Sequence, residues 1–367
     1  MNFRPHFRWI VILAVASTAV SASLPPQLAQ QPYAKPISES QAAVRAFLEK
    51  NDVPGVGVAV AIKGKVVWSE GFGLADRESK TAASPETRFG LGSISKSLTT
   101  ALALRLAEQG KLDLDAPIER YLEGWPHVGK GVTVRFIAAH LSGLDDQFAS
   151  GLMETKKAYS TTEALREIQK EPLRSTPGSE VFYGTGTYTV IAAVIEKVTG
   201  KPFETAMADE VFKPLGLKNI VPNDPHRFLE RKTSFYRPDA EGKLQRVSPY
   251  DPSHKRAGAG YLATAGDLAT FGSALLQDGF LKESSRTEMF RELKTNLGRA
   301  TGFALGWRPV KDGKGRRIYA QPGGGPGISS VAVLYPDHDL TVVILTNRTG
   351  APTGALAQSI ADEFLSK

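Results

Sequence analysis

Apolar residues near both ends of the chain follow the pattern of buried strands. Residues 53–62 are almost wholly small or β-branched, and residues 65–68 continue the apolar run after the turn Lys63-Gly64, so the two runs predict a buried β-hairpin. We expect the glycine-containing stretch 71–76 to leave the sheet after this hairpin. Further strands are predicted near the carboxyl end of the chain, at residues 302–309, 317–320, 329–335 and 340–346.

The stretch between these strands has helical spacing instead. Residues 101–108 are rich in strong helix formers, and Gly110 supplies the stop signal. Strands at both ends with helices between them predict an α/β fold, in which an antiparallel sheet formed by both chain termini is flanked by helices and carries a mainly helical lobe. Other helices are predicted at residues 41–50, 112–122, 132–140, 161–171, 188–198, 265–276 and 354–365.

The pattern also predicts how the chain is divided. Residues 41–367 form the folded domain, with a sheet lobe at about 41–92 and 255–367 and a helical lobe at about 93–254. Because pockets tend to form between lobes, we expect the functional cleft there.

The amino-terminal segment has the features of a secretory signal. Residues 1–22 contain Arg4 and Arg8, an apolar run at 9–15 and small residues up to Ala22. This predicts a periplasmic or secreted protein without a stable membrane span after cleavage, although an uncleaved anchor is the alternative. Residues 23–40 contain several prolines and are predicted to be an extended linker.

Composition narrows the possible chemistry. The chain has 367 residues, 41% hydrophobic and 23% charged, which is typical of a soluble globular protein, and it has no cysteine and therefore no disulfide. The six histidines form no metal-ligand pattern, so we expect neither a metal nor a cofactor. The formal charge of +7 is scattered and does not indicate a nucleic-acid partner. The expected partner is a small-molecule or peptide substrate, and the oligomeric state is left open.

A candidate nucleophile lies at the start of the helix that is predicted to end at Gly110. Ser93 and Lys96 are three residues apart and would share one helix face, where the lysine amine is able to take the serine proton. The amino end of a helix also offers N–H groups to the negative oxygen of an attacked carbonyl. The alternative is a helix cap made by serine, with Lys96 in solvent.

Two later clusters add candidate chemistry. Tyr183 lies on a glycine-flanked turn before a helix, where it can relay a proton if the charge of Lys96 lowers its pKa. The glycine run at 321–327 lies between predicted strands, so its N–H groups can supply the second arm of an oxyanion hole. The alternatives are a tyrosine that only packs under its helix and a plain turn or phosphate loop. His140 can act as a general base, but we expect it to satisfy local backbone groups.

These clusters resemble the three motifs of serine β-lactamases of the class C type, penicillin-binding proteins and related esterases and D-aminopeptidases. The stretches around Ser93 and His140 are most similar to the subgroup that includes the mitochondrial serine β-lactamase-like protein. Further matching stretches, which together with the motifs cover nearly all of the chain after its amino-terminal segment, lie at residues 71–76, 111–117, 140–144, 258–268 and 305–307.

The resemblance implies a β-lactamase/transpeptidase-like fold and roles for individual residues. Ser93 would be the nucleophile, Lys96 its base and Tyr183 the group that passes a proton to the leaving group. The N–H groups of Ser93 and Gly324 would bind the oxyanion, and water would then cleave the acyl-enzyme. The resemblance also implies that the substrate is contacted by Thr185, Gln321, Gly323 and Gly325.

Two departures from the family pattern bear on the substrate. Thr185 stands where many relatives have an asparagine, and Gln321-Pro322-Gly323 replaces the usual Lys or His, Thr or Ser, and Gly. Gln321 cannot carry the positive charge that would attract a substrate carboxylate. We therefore expect a serine hydrolase acting on an ester or amide, of the esterase or peptidase type, with weak or no β-lactamase activity. The alternative is a non-catalytic binding or assembly protein that keeps the fold.

Overall fold

The computed structural model describes Met1 and residues 32–127 and 129–366. The predicted signal, apart from Met1, and the linker up to residue 31 lie outside the described residues. In the described part of the chain, no helix combines the length and apolar character needed to cross a membrane.

The strands and helices alternate in blocks along the chain. The strands are β1 Gly55–Ile62, β2 Lys65–Asp76, β3 Thr81–Ala82, β4 Phe89–Gly90, β5 Val221–Pro222, β6 Tyr236–Pro238, β7 Leu244–Arg246, β8 Tyr261–Ala263, β9 Arg308–Lys311, β10 Arg317–Gly325, β11 Ile328–Tyr335 and β12 Leu340–Thr346. The α-helices are α1 Ala34–Lys50, α2 Ile94–Glu108, α3 Val134–Ala138, α4 Gln147–Gly151, α5 Thr161–Lys170, α6 Tyr188–Thr199, α7 Phe203–Met207, α8 Arg256–Ala259, α9 Ala265–Ala274, α10 Glu283–Phe290 and α11 Thr353–Leu365. Short 3₁₀ turns lie at Ile118–Arg120, Ser253–Lys255 and Pro336–His338, and a π-helical turn lies at Ala208–Phe212.

Both ends of the chain build the main sheet, as predicted. Its seven strands run in the order β3-β2-β1-β12-β11-β10-β9. The first and last long strands, β1 and β12, pair antiparallel at its centre, with Val58 opposite Ile344. Because side chains alternate between faces, Val58 packs in a cluster with Phe364 of α11, whereas its neighbour Ala59 belongs to the core that contains Leu268 of α9. The sheet is therefore covered by helices on both faces.

Helix α2 lies at the centre of the core that contains Leu268 and is buried around most of its circumference. Its small hydroxyl side chains hydrogen-bond to neighbouring loops rather than to solvent. Ser97 donates to the carbonyl of Gly306 over 2.7 Å, and Thr99 donates to that of Ala257 over 2.7 Å. These buried bonds hold the start of α2 against α8 and the loop that precedes β9, and so position Ser93 and Lys96.

Two predicted boundaries near the amino end are wrong. Helix α1 begins at Ala34, so residues 34–40 are helical rather than extended linker. Proline at the third helical position, Pro36, is compatible with this because the first N–H groups of a helix have no intrahelical acceptor. Strand β2 continues to Asp76 rather than leaving the sheet at residue 71, since Gly71 pairs with Gly57 of β1.

Two other predicted elements are also wrong. Residues 112–122 form loops with one 3₁₀ turn at Ile118–Arg120, because the N–H of Asp115 bonds to the side chain of Asp113 and Pro117 interrupts a helix. The strand predicted over 302–309 begins only at Arg308, after two glycines with positive φ, Gly302 and Gly306.

Candidate active site

Three side chains from separate elements meet in front of helix α2. Ser93 immediately precedes the helix, and its Oγ accepts a hydrogen bond from Lys96 Nζ at 3.1 Å. The Tyr183 hydroxyl lies 2.7 Å from the same Ser93 oxygen. The structure therefore brings together the serine, lysine and tyrosine that the sequence singled out.

The amine of Lys96 is enclosed by hydrogen-bond acceptors and aromatic rings. It is fully buried, donates to Thr185 Oγ1 at 3.0 Å and to the Gly258 carbonyl at 3.1 Å, and lies 4.8 Å from the centre of the Tyr183 ring. Burial lowers the pKa of Lys96 to about 7, against the opposing effect of the Asp146 carboxylate. A lysine with this pKa is partly neutral near pH 7 and can accept a proton from Ser93.

The condition that the sequence analysis set for Tyr183, a pKa lowered by the charge of Lys96, is not met. Burial raises the pKa of Tyr183 above its ordinary value, and the hydrogen bond to Ser93 and the charge of Arg308 oppose that rise. The Arg308 guanidinium lies 5.9 Å from the centre of the Tyr183 ring, on β9. Tyr183 is thus held as a neutral phenol that can donate to Ser93 and to a leaving group.

Asp146 holds the turn that carries Tyr183 and Thr185, and the sequence analysis missed it. Its carboxylate accepts backbone N–H groups from Thr185 at 2.9 Å, Gly186 at 2.5 Å and Thr187 at 3.3 Å. Burial raises the pKa of Asp146, while these three bonds and Lys96 oppose the rise. No local pattern links Asp146 to this turn, since the partners lie about 40 residues apart in the chain.

The two proposed oxyanion donors lie next to each other across the start of α2 and strand β10. A Cβ added to Gly92 would lie 2.6 Å from the backbone nitrogen of Gly324, so the residue before Ser93 touches this part of β10. Gly324 itself has open space where a side chain would be. This placement puts the N–H-bearing backbone of both residues beside the nucleophile.

The other predicted substrate contacts in the glycine run have different surroundings. Gln321 is buried, and its amide nitrogen donates to the carbonyl of Ser93 at 3.0 Å. Gly323 is packed against Leu91, because a Cβ there would lie 2.0 Å from the Leu91 carbonyl oxygen. Gly325 lines the cavity described next. Gln321 therefore contacts the nucleophile's backbone and is not among the residues that line the cavity.

A cavity of about 230 Å³ opens beside Ser93. Its wall combines Ser93 and the turn at Thr185 with an apolar side and with charged groups that the sequence analysis did not single out. Residues of this wall include Ser93, Asp146, Met153, Thr185, Tyr250, Lys255, Gly324, Gly325 and Ile328.

His140 supports the tyrosine rather than the serine. Its ring lies 4.2 Å from that of Tyr183, and its Nδ1 accepts the Gly184 N–H at 3.3 Å. Burial, followed by the charges of Lys96 and Arg308, holds the pKa of His140 well below its ordinary value. The role is structural, as expected, but the backbone group that His140 accepts from lies 44 residues away in the chain rather than locally.

A sequence profile settles the family of this chain. The profile of the beta-lactamase family matches residues 41–364. The chain belongs to the beta-lactamase family. This membership confirms the resemblance and the β-lactamase/transpeptidase-like fold inferred from the motifs.

Individual relatives in the family extend the comparison. The chain is 26% identical to the human mitochondrial serine beta-lactamase-like protein LACTB, over 90% of this chain and 77% of LACTB. It is also 26% identical to penicillin-binding protein 4* of Bacillus subtilis, over 82% of this chain and 69% of that protein. Both similarities agree with the subgroup and family that the motifs indicated.

The solved structure of an amidohydrolase has the same fold. The D-stereospecific amidohydrolase from Streptomyces sp. superposes with a TM-score of 0.75 at 25% identity, over 90% of this chain and 99% of that chain. The family is of the serine hydrolase type and spans β-lactamase-like and penicillin-binding proteins.

Proposed function

We propose that this protein is a secreted or periplasmic serine hydrolase that cleaves an ester or amide through an acyl-enzyme on Ser93. One observation carries the proposal. Ser93 Oγ lies within hydrogen-bond distance of both Lys96 Nζ, at 3.1 Å, and the Tyr183 hydroxyl, at 2.7 Å. A base and a proton donor on one serine oxygen are what acyl transfer requires.

Acylation begins when the neutral amine of Lys96 takes the proton of Ser93. The serine oxygen bonds to the substrate carbonyl carbon, and the backbone N–H groups of Ser93 and Gly324 stabilise the negative oxygen that forms. As the bond to the leaving group breaks, Tyr183 gives that group its proton, and the ammonium of Lys96 restores the proton to Tyr183. The acyl group is then joined to Ser93, and Lys96 is neutral again.

Deacylation uses Lys96 again as the base. Water loses a proton towards Lys96 and adds to the carbonyl carbon, and Ser93 leaves with the proton returned from Lys96. The products are the free acid and the alcohol or amine, so one water is consumed for each bond cleaved.

The glycine run supports the expectation of weak β-lactam turnover. Gln321 stands where the family commonly has a cationic residue, and its amide is engaged by the carbonyl of Ser93. A neutral amide directed at the protein backbone offers no ion pair to a β-lactam carboxylate. We therefore expect the glycine run to contribute no charge recognition of a β-lactam carboxylate, and β-lactam turnover to be weak or absent.

The nucleophile is tested with a fluorophosphonate probe, which labels activated serines. The wild-type chain should be labelled and should hydrolyse a simple ester, whereas Ser93→Ala should do neither. Ser95→Ala is the matched control, because Ser95 lies in the same motif, is fully buried and has no hydrogen-bond partner for its Oγ. Equal labelling of Ser93→Ala would remove Ser93 as the nucleophile, and an unlabelled and inactive wild type would favour the non-catalytic binding role.

The location in the proposal rests on the sequence pattern of residues 1–22. Expression of the full chain in a bacterium, followed by fractionation and mass measurement of the amino terminus, tests it. Recovery outside the cytoplasm with a new terminus near residue 23 would support export. An intact Met1 in the cytoplasmic fraction would contradict it.

A further inference from the structure

A second buried lysine lines the cavity beside the nucleophile. Lys255 ends the 3₁₀ turn Ser253–Lys255 and is only 4% exposed, yet it shares the cavity wall with Ser93. Neither the acylation steps nor the deacylation steps above use this side chain. Its position therefore needs a separate explanation.

The ammonium of Lys255 lacks an anionic partner. Its Nζ donates to the thioether of Met153 at 2.9 Å, and thioether sulfur is a weak acceptor. Met153 also lines the cavity, so this end of Lys255 lies at the cavity wall. Within residues 32–127 and 129–366, no carboxylate lies within ion-pair distance of Lys255. Burying an unpaired charge is costly, and buried charges are ordinarily paired.

The carboxylate whose charge acts on Lys255 is already occupied. Asp146 is close enough to raise the pKa of Lys255, but its carboxylate accepts three backbone N–H groups of the Thr185 turn. Burial nevertheless lowers the pKa of Lys255 only to about 8, so the side chain is mainly charged at pH 7. The cavity thus presents a cation whose hydrogen-bonding capacity is not satisfied by the protein.

The backbone on both sides of Lys255 is fixed. The carbonyl of His254 accepts a hydrogen bond from Thr189 of α6 at 2.9 Å, and that of Ala257 accepts one from Thr99 of α2 at 2.7 Å. Both bonds are buried and tie this segment to the helices that form the active site. The backbone that carries the lysine is therefore fixed before any ligand arrives, which reduces the cost of ordering this segment on binding.

We propose that Lys255 binds a carboxylate carried by the substrate, so that the preferred substrates are esters or amides with an anionic group a few bonds from the reacting carbonyl. This inference rests on the proposed function, because it describes the substrate of the same Ser93 site. Gln321 has lost the positive charge at the glycine run, and Lys255 supplies one from a different element of the cavity wall.

The test compares matched ester pairs that differ by one carboxylate. Mono-p-nitrophenyl glutarate against p-nitrophenyl butyrate places the charge in the acyl half, and 4-butyryloxybenzoate against phenyl butyrate places it in the leaving group. We expect the wild type to prefer the anionic member of one pair by about 10- to 100-fold in kcat/KM, the range expected for a hydrogen bond to a charged group. Lys255→Met should abolish that ratio, with Lys255→Gln as a second variant should the first not fold.

A matched control separates local from general charge effects. Lys232→Met removes another partly buried lysine, which donates to Asn223 and does not line the cavity, so the anionic-to-neutral ratio should stay within about twofold of wild type. A wild type that shows no preference in either pair overturns the carboxylate assignment. So does a preference that survives both Lys255 variants.

The two proposals fail in different ways. Turnover of a neutral ester that depends on Ser93, without any anionic preference, keeps the hydrolase and removes the role of Lys255. Should no ester be turned over, calorimetry on Ser93→Ala compares monomethyl glutarate with methyl butyrate. Tighter binding of monomethyl glutarate than of methyl butyrate, with the difference lost when Lys255→Met is added to Ser93→Ala, would support the site. Equal binding of the two esters, or binding of neither, would overturn it.

Discussion

The hydroxyl of Thr185 accepts a hydrogen bond from Lys96 Nζ over 3.0 Å, so this residue contacts the base of the site. The family resemblance assigns Thr185 to the substrate instead. If its main role is to orient Lys96, Thr185→Val should lower kcat by about 5- to 10-fold, the value of one ordinary hydrogen bond, and leave KM nearly unchanged. Steady-state kinetics on a p-nitrophenyl ester measures both parameters.

Thr185→Ser is the control for this prediction, because it keeps the hydroxyl and removes only a methyl group. It should restore most of kcat. A Thr185→Val variant with normal kcat and a raised KM would instead assign the residue to substrate binding.

The buried position of Lys96 predicts the pH dependence of the reaction. Its pKa of about 7 means that the amine is charged, and unable to accept a proton, in more acidic solution. Activity as kcat/KM should therefore rise with pH, reach half its maximum near pH 7 and level off above about pH 8. A flat profile from pH 6 to 9, or a limb near pH 10 where an ordinary lysine titrates, would contradict this assignment.

Lys255 is the other buried lysine near the cavity, and its pKa of about 8 lies close to that limb. The pH profile of Lys255→Gln on a neutral ester decides between the two. A limb that stays near pH 7 belongs to Lys96, and a limb that disappears belongs to Lys255.

The close approach of Gly92 to Gly324 predicts that one added methyl group at Gly92 strongly lowers kcat/KM. Gly92 has a φ of +51°, and a Cβ there would lie 2.6 Å from the Gly324 nitrogen. Gly92→Ala must therefore displace the backbone that we propose binds the oxyanion, and kcat/KM should fall by about 10²- to 10³-fold. Ester kinetics measures the loss.

Gly110→Ala is the matched control for that variant. Gly110 has a similar φ of +68°, but nothing lies within 4 Å of an added Cβ. It should lose about 1–2 kcal/mol of unfolding free energy from backbone strain and retain its kcat. Similar catalytic losses in both variants would show that backbone strain, rather than the contact with Gly324, is responsible.

Local patterns in the sequence were enough to predict the elements that hold the nucleophile. Ser93 immediately precedes α2 and Lys96 lies in its first turn, and the helix formers at 101–108 with the stop signal at Gly110 predicted where this helix ends. The strands of both chain ends were also predicted, because runs of β-branched residues mark buried strands wherever they pair. These helices and strands could be predicted because they depend on residues that are close together in the chain.

Contacts between distant residues could not be predicted in this way. Gln321 and Ser93 are 228 residues apart, and nothing in the glycine run indicates that the amide would bond to the serine carbonyl rather than face a substrate. The same holds for Lys255 and Met153, whose contact depends on how two loops pack. The prediction that the chain leaves the sheet at Gly71 failed for a related reason. A Cβ at Gly71 would lie 2.5 Å from the backbone of Ser84, so this glycine is required by packing within β2 and does not mark the end of the strand.

Asp146 links the stability of the site to the titration of its base. Its carboxylate accepts three N–H groups of the Thr185 turn, and its charge raises the pKa of Lys96. Asp146→Ala leaves those donors without an acceptor and should cost about 2–4 kcal/mol of unfolding free energy, measured by urea denaturation. Asp146→Asn keeps one acceptor oxygen and should cost less.

The same asparagine variant tests the electrostatic link. Removing the negative charge takes away the effect that opposes burial, so the pKa of Lys96 should fall further and the rising limb of kcat/KM should move to more acidic pH. Asp145→Asn is the matched control, because Asp145 is the adjacent carboxylate and lies 3.8 Å from Arg174 instead. The limb should stay in place there. A limb that moves to higher pH in Asp146→Asn, or moves equally in both variants, would mean that Asp146 does not set the pKa of the base.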